Sequence, residues 1–151
     1  MNVIGISKKH FKEIEMGTFH VGCQIENHQN NSKFIKINKL LVDTGAEHTW
    51  IRETKLSRIG ITPITPITPI KKDAPFRMAN GQLITRNIGF MIIRINKSFT
   101  IDGVVFAQKG DSELLGARSL EGLNLSVDSK RKKLVAAGPY PVAMGAMDVV
   151  G

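Results

Sequence analysis

Cysteine is almost absent from this chain. Cys23 is the only one in 151 residues, so no internal disulfide and no cysteine-based zinc centre can form. A reducing, cytoplasmic setting is the expectation, with Cys23 as a small buried hydrophobe. Long apolar runs are missing too. None reaches the ~20 residues that a membrane-crossing helix needs, and no membrane partner is expected. Met1 to Lys9 lacks the apolar core and small-residue cleavage site of a secretory signal. Aromatic residues are scarce, at 6%, without the pattern of a base-stacking platform. His10, His20 and His28 have no ligand spacing and read as surface groups. Neither a Ser-His-Asp set nor a phosphate-cradling glycine loop is present. No metal and no cofactor are expected.

What the chain does have is positive charge: 21 Lys and Arg against 13 Asp and Glu, net +8. Such a balance can mark a nucleic-acid binder. Here the cations are dispersed, apart from Lys130, Arg131, Lys132 and Lys133 after Asp128 and Ser129. That run reads as a solvated hairpin tip, and a nucleic-acid partner is not expected. With 42% hydrophobic residues, the chain can build an ordinary core. At this length one domain buries about two thirds of its unfolded surface.

Alternation places a strand at residues 18–25, with Phe19, Val21, Cys23 and Ile25 on one side. Residues 26–32 read as a polar turn, and residues 34–42 as a second strand that pairs back. A short buried strand at Thr49, Trp50 and Ile51 leads to a helical turn ending at Gly60. Trp50 belongs to the core or to a cleft wall. The threefold Ile-Thr-Pro repeat from Ile61 to Pro69 excludes a helix and a central strand. It implies an extended connector. Residues 75–79 and 82–95 flank Asn80-Gly81, the sequence of a two-residue type I′ hairpin turn. Further strands are expected at 98–107, 123–127 and 133–135, with a short helix at 117–122. The expectation is an all-β domain over residues 17–136, between an N-terminal extension, 1–16, and a flexible Gly-, Ala- and Pro-rich tail, 137–151.

The segment with chemical content is Leu40-Leu41-Val42-Asp43-Thr44-Gly45-Ala46. A bare Asp-Thr-Gly occurs by chance in roughly 2% of chains this long, at about 5% per residue type. The flanks carry more weight. An apolar triplet drives the strand inward and brings Asp43 to its end. A carboxylate there is costly unless it is hydrogen-bonded or used. The plainer reading makes Asp43 the start of an Asx turn with Thr44 capping it. Downstream stand the Asn80-Gly81 hairpin and then Leu114-Leu115-Gly116, leading into the short helix.

This layout resembles the retropepsin-like aspartic proteases, the single-domain clan that includes the retroviral proteases. The resemblance covers about residues 17–136 and rests on Asp43-Thr44-Gly45-Ala46 together with Leu114-Leu115-Gly116. Residues 120–134 also look like the closing strands of bacterial members. It implies a closed β-barrel or sandwich with a flap hairpin, acting as an aspartic endopeptidase on a peptide or protein substrate. Such chemistry needs two carboxylates sharing a proton, one as base and one as acid. This chain has one Asp-Thr-Gly, so the resemblance implies a homodimer with Asp43 and its mate across a two-fold axis.

Other roles are carried over by position. Thr44 and Gly45 would support the catalytic loop, and Ala46 and Glu47 would line the cleft. Met78, Ala79, Asn80, Gly81 and Gln82 would form the flap tip that closes over the peptide. Leu114 and Leu115 would pack beneath the loop, and Gly116 would permit a close crossing. The chain departs from the retroviral pattern at Ala117, where an arginine usually follows the glycine. Arg118 is one position later. His48 stands where an acidic residue is frequent. A catalytically silent peptide-binding or dimerisation module of the same fold is the alternative from another class.

Overall fold

The computed structural model describes residues 18–64, 73–77, 81 and 83–139. The expected extension at 1–16, most of the tail, His10 and repeat residues 65–69 lie outside the described residues. Among the described residues the chain forms nine strands and two six-residue helices. In chain order these are β1 (Phe19–Asn27), β2 (Asn30–Val42), β3 (Thr49–Arg52), α1 (Glu53–Arg58), β4 (Asp73–Arg77), β5 (Leu83–Ile95), β6 (Ser98–Ala107), β7 (Leu114–Leu115), α2 (Ala117–Gly122), β8 (Leu125–Asp128) and β9 (Lys133–Ala136). The protein is all-β in class.

The main sheet runs β1-β2-β7-β3-β6-β5-β4, and β1 also pairs with β5. The hairpin pairs β1–β2 and β5–β6 are antiparallel, while β2–β7 and β3–β6 are parallel. β8 and β9 form a separate two-stranded sheet. Inward-facing residues alternate as the period of a strand demands. Ile25, Leu40, Val42, Ile51, Met91, Ile93, Val104 and Leu115 are at most 1% exposed and form one core. Each buried aliphatic side chain contributes roughly 1.5–3 kcal/mol.

Two expectations need correction. Residues 26–32 are not a turn: β1 continues to Asn27, β2 begins at Asn30, and only His28 and Gln29 lie between. Glu26 and Asn27 are buried. They tolerate burial because each has a partner far along the chain. Arg94 holds Glu26 at 2.7 Å, and the Asn27 amide donates to the Ile59 carbonyl at 2.9 Å.

The second correction concerns the β4–β5 register. Phe76 faces Ile84 and Arg77 faces Leu83. An odd number of residues, 78–82, separates the closing pair, whereas a two-residue turn on Asn80-Gly81 requires an even number. The pairing is therefore one residue out of step with a type I′ turn there. Gly81 has φ +87°, a value suited to the left-handed position that ends a longer hairpin loop. Met78, Ala79, Asn80 and Gln82 lie outside the described residues.

The start of the proline repeat is more structured than a connector. Ile61 is buried, and the Ile64 N–H donates to the Ile88 carbonyl at 2.8 Å. This stretch therefore lies against β5.

The tightest point of the fold is Gly116, between β7 and α2. A Cβ there would sit 2.9 Å from the Glu47 carbonyl oxygen and closer still to that of His48. Both obstacles are backbone and cannot swing away. Gly116→Ala is therefore expected to cost at least 1–3 kcal/mol, and Leu115→Ala, under the same loop, about 2–5 kcal/mol. Urea denaturation of both variants checks this. A Gly116→Ala midpoint equal to the parent's would show that the crossing has slack.

Candidate active site

β2 delivers Asp43. Leu41 and Val42 lie parallel to Leu114 and Leu115, and the Asp43 N–H continues that ladder by donating to the Leu115 carbonyl at 3.0 Å. The chain then turns. The Gly45 N–H donates to Asp43 Oδ1 at 2.9 Å, and the Ala46 N–H donates to the Asp43 carbonyl at 3.2 Å. The Asx turn of the plainer reading is therefore present. It leaves Oδ2 without a protein partner among the described residues. Asp43 is half-buried, while Thr44 and Gly45 are exposed.

The loop is bound from below by the segment after β7. The Ala46 carbonyl accepts from the Ala117 N–H at 2.8 Å, and the Glu47 carbonyl from the Arg118 N–H at 3.0 Å. The Arg118 side chain also reaches Glu47 at 3.3 Å. Both partners are more than half exposed, so this pair adds little stability. The backbone bonds are what fix the loop. β7 itself lies between β2 and β3, parallel to the first and antiparallel to the second at Trp50.

A buried polar chain, not anticipated from the sequence, runs underneath. The Gly116 N–H donates to Thr49 Oγ1 at 3.0 Å. Thr49 and Ser119 hydroxyls lie 2.6 Å apart, and the Ser119 hydroxyl donates to Asp102 Oδ2 at 2.7 Å. An N–H can only donate and a carboxylate only accept, so the Thr49 hydroxyl must donate to Ser119. Every group is satisfied, as burial requires. Thr49 and Ser119 are fully buried, and the chain links β3, α2 and β6.

Phe76 of β4 is a second residue the sequence reading missed. Its ring meets Trp50 edge-on at 5.2 Å and His48 at 5.7 Å. This cluster brings the β4–β5 hairpin against β3, the strand that follows the Asp43 loop, with Trp50 half-buried beneath Phe76. Gly81, between β4 and β5, is exposed, and a Cβ added there would meet no atom within 4 Å. The structure thus brings Asp43, Thr44, Gly45, Ala46 and Glu47 together with Leu114, Leu115 and Gly116. A cleft of about 530 Å³ opens beside the loop, bounded by Thr44 to Glu47 on one side and by Asp102, Arg118 and Glu121 on the other.

The hairpin's base is held by charge. Arg86 of β5 grips Asp111 with two nitrogens, at 2.6 and 2.9 Å, and both side chains are at most 15% exposed. Arg52 adds its Nη2 to the Asp111 carbonyl at 3.1 Å and its N–H to Glu113 at 2.8 Å. Lys55 lies 2.8 Å from Glu113. Hydrogen bonding from Arg86 holds the Asp111 carboxyl below its usual range, and Arg94 does the same for Glu26. Burial pushes Glu113 up, but Lys55 and the Arg52 N–H outweigh it, so the net shift is also downward. Burial pushes the Cys23 thiol up to about 12, so near neutral pH it is not a thiolate nucleophile.

Neither a protein-family model nor a curated protein matches this chain.

Two outcomes follow from this geometry. Thr49→Val keeps the shape but removes the middle of the polar chain, leaving the Gly116 N–H and the Ser119 hydroxyl buried without their partner. A loss of about 1–3 kcal/mol is expected, read by thermal or urea unfolding. A Thr49→Val protein as stable as the parent would show that the chain contributes nothing.

The second outcome concerns acid. Asp111, Glu26 and Glu113 all bind protons more weakly folded than unfolded. Their stabilisation is therefore complete above the usual values of 3.8 and 4.5. It is lost as pH falls through the lower folded values. Asp111→Asn and Glu26→Gln should be less stable at pH 7 and lose less on acidification. Thermal melts between pH 7 and 2 measure this, and equal slopes for parent and variants would contradict it.

Proposed function

We propose that the chain is an aspartic endopeptidase of the retropepsin-like kind, active as a homodimer. The reading treats the six strands β1, β2, β7, β3, β6 and β5 as a closed barrel and the β4–β5 hairpin as its flap. The observation that carries it is the Asp43 loop. At the end of β2 the Asp43 N–H donates to the Leu115 carbonyl and its carboxylate accepts from the Gly45 N–H, while the carbonyls of Ala46 and Glu47 are tied to the residues after Gly116. That arrangement fixes the backbone of the loop and leaves Oδ2 of Asp43 without a protein partner among the described residues, next in the chain to the cleft-lining residues Thr44 to Glu47.

In this mechanism Asp43 and the partner's Asp43 face each other across the two-fold axis. Close like charges cannot both ionise readily, so the pair holds one proton between its carboxyl groups. Aspartic proteases are the standing example of this effect. The ionised carboxylate takes a proton from water as that oxygen attacks the peptide carbonyl. The protonated one gives its proton to the carbonyl oxygen. Collapse of the tetrahedral intermediate returns a proton to the leaving amine and breaks the C–N bond. Thr44 and Gly45, exposed in one protomer, lie at the contact between the two loops. The flap, anchored by Phe76 and by Arg86–Asp111, closes over the peptide and excludes water.

Asp43→Asn is expected to lower cleavage of a diverse peptide library by about 10²–10⁴-fold, with mass and melting temperature kept. An amide matches the carboxylate in shape but cannot act as the base. Activity within tenfold of the parent would remove Asp43 from the chemistry. Activity per milligram should also fall on dilution, and excess Asp43→Asn subunits should depress it further. Full specific activity in a particle of monomer mass would refute a shared dyad.

A further inference from the structure

The outer face of β2, β1, β5 and β6 is unusually apolar for a surface. Residues opposite one another across paired strands point to the same side. Phe34, Glu26, Ile92 and Ile101 form one such row, and Lys36, Gln24, Arg94 and Phe99 the next. Their inward neighbours Ile25 and Ile93 are fully buried, so both rows face outward. On this face Phe34, Phe90, Phe99 and Ile101 are 46–62% exposed. Neighbouring strands lie about 4.8 Å apart, so the patch is roughly 15 Å wide.

The charge on this face has one sign. Its only carboxylate among the described residues, Glu26, is 3% exposed and bound to Arg94. Lys36 is exposed, as is Lys97 at the β5–β6 turn. Arg94 lies over the Phe99 ring at 4.9 Å. It gives Nε and Nη2 to Glu26, which leaves Nη1 without a hydrogen bond among the described residues. Lys36 and Arg94 flank a cup of about 260 Å³, completed by the amides of Gln24, Asn38 and Asn96. The exposed carboxylates at the rim, Glu47 and Glu121, belong to the cleft that Ile101 also lines.

We propose that this face docks on an anionic phospholipid surface, with the phenylalanines and Ile101 entering the interface and a headgroup phosphate taken between Lys36 and Arg94. Three observations select this occupant. The +8 net charge draws the whole molecule to a negative surface. A second copy would set Lys36, Arg94 and Lys97 against their own kind. An amphipathic peptide helix needs a groove to hold its anchors, whereas here the side chains stand up from a sheet. A face can dock without any spanning segment, so the missing apolar run does not oppose this, although the sequence alone led us to expect no membrane contact. The proposal is independent of the peptidase reading.

The test is co-sedimentation of the full chain with phosphatidylcholine vesicles containing 30% phosphatidylserine, in 0.1 M salt, beside vesicles of phosphatidylcholine alone. Binding to the anionic vesicles is expected, with weak binding to the neutral ones. Phe90→Ser with Phe99→Ser should weaken it at least tenfold. Lys36→Gln should weaken it about fivefold, and Asp43→Asn should leave it unchanged. All the replaced side chains except Asp43 are on this surface, and melting curves verify that each variant folds. No binding to anionic vesicles would overturn the proposal. So would binding that the double phenylalanine variant retains in full, which would assign it to dispersed cations such as the 130–133 run. Equal binding to neutral vesicles would overturn the preference for an anionic surface, and with it the proposal. Saturable binding of a synthetic Glu/Leu amphipathic peptide without vesicle binding would give the face to an acidic protein partner. A concentration-dependent mass increase abolished by Phe99→Ser would give it to a second copy.

Discussion

The passage of β7 between β2 and β3 is the constraint on which the rest of the fold depends. Two residues, Leu114 and Leu115, must fit between strands that are themselves only a loop apart in the chain. The next residue must pass beneath the backbone of Glu47 and His48, where a Cβ has no room. Once it does, several consequences follow together. The Leu115 carbonyl meets the Asp43 N–H, the carbonyls of Ala46 and Glu47 meet the N–H groups of Ala117 and Arg118, and the Gly116 N–H meets Thr49. α2 starts where those bonds leave it. The position of Asp43 is thus set by backbone geometry and does not depend on the exposed Glu47–Arg118 pair.

The same crossing also joins the loop to the hairpin. The segment leading into β7 carries Asp111 and Glu113, which bind Arg86 of β5 and Arg52 and Lys55 of the β3–α1 region. These charges are largely shielded from solvent, so salt screens them less than it screens an exposed pair. The bidentate Arg86–Asp111 geometry also sets direction as well as attraction. From above, Phe76 rests on Trp50 and His48. One short segment therefore carries the support for the Asp43 loop and an anchor for the hairpin. Displacement of residues 108–116 would disturb both.

Much of this was legible because it is local. Alternating apolar residues marked β1, and Ser98–Ala107 and Ala117–Gly122 fall where residue patterns placed them. Leu114-Leu115-Gly116 carried both its strand and its turn. What escaped is non-local. Glu26 and Asn27 look like turn residues until Arg94 and Ile59 are brought to them by folding. Thr49, Ser119 and Asp102 are ordinary polar residues scattered over 70 positions, and only the shared crossing makes them one hydrogen-bonded chain. Asn80-Gly81 is a strong local turn signal. Yet the register of β4 against β5 is set by pairs several residues away, and it moved the turn's count by one. Phe34, Phe90 and Phe99 are large apolar residues whose strand positions point outward, which only the pairing register reveals.

The loop's asymmetry has a physical logic under the proposed chemistry. Beneath Asp43 the crossing is tied by the N–H groups of Asp43, Gly116, Ala117 and Arg118, and Leu115, Gly116 and Thr49 are buried. Above it, Thr44 and Gly45 are exposed and line the cleft, and Oδ2 has no protein partner among the described residues. A site completed by a second chain needs both properties. The underside must be rigid, because two carboxylates share a proton only when each is held within a few tenths of an ångström of a hydrogen-bonding separation. The upper side must be open, because its missing contacts are supplied by the mate. A single chain that satisfied Asp43 internally would gain stability and lose the use of the carboxylate. Placing the satisfied groups below and the unsatisfied oxygen above keeps the two demands apart, and the Gly116 crossing makes that separation sterically possible.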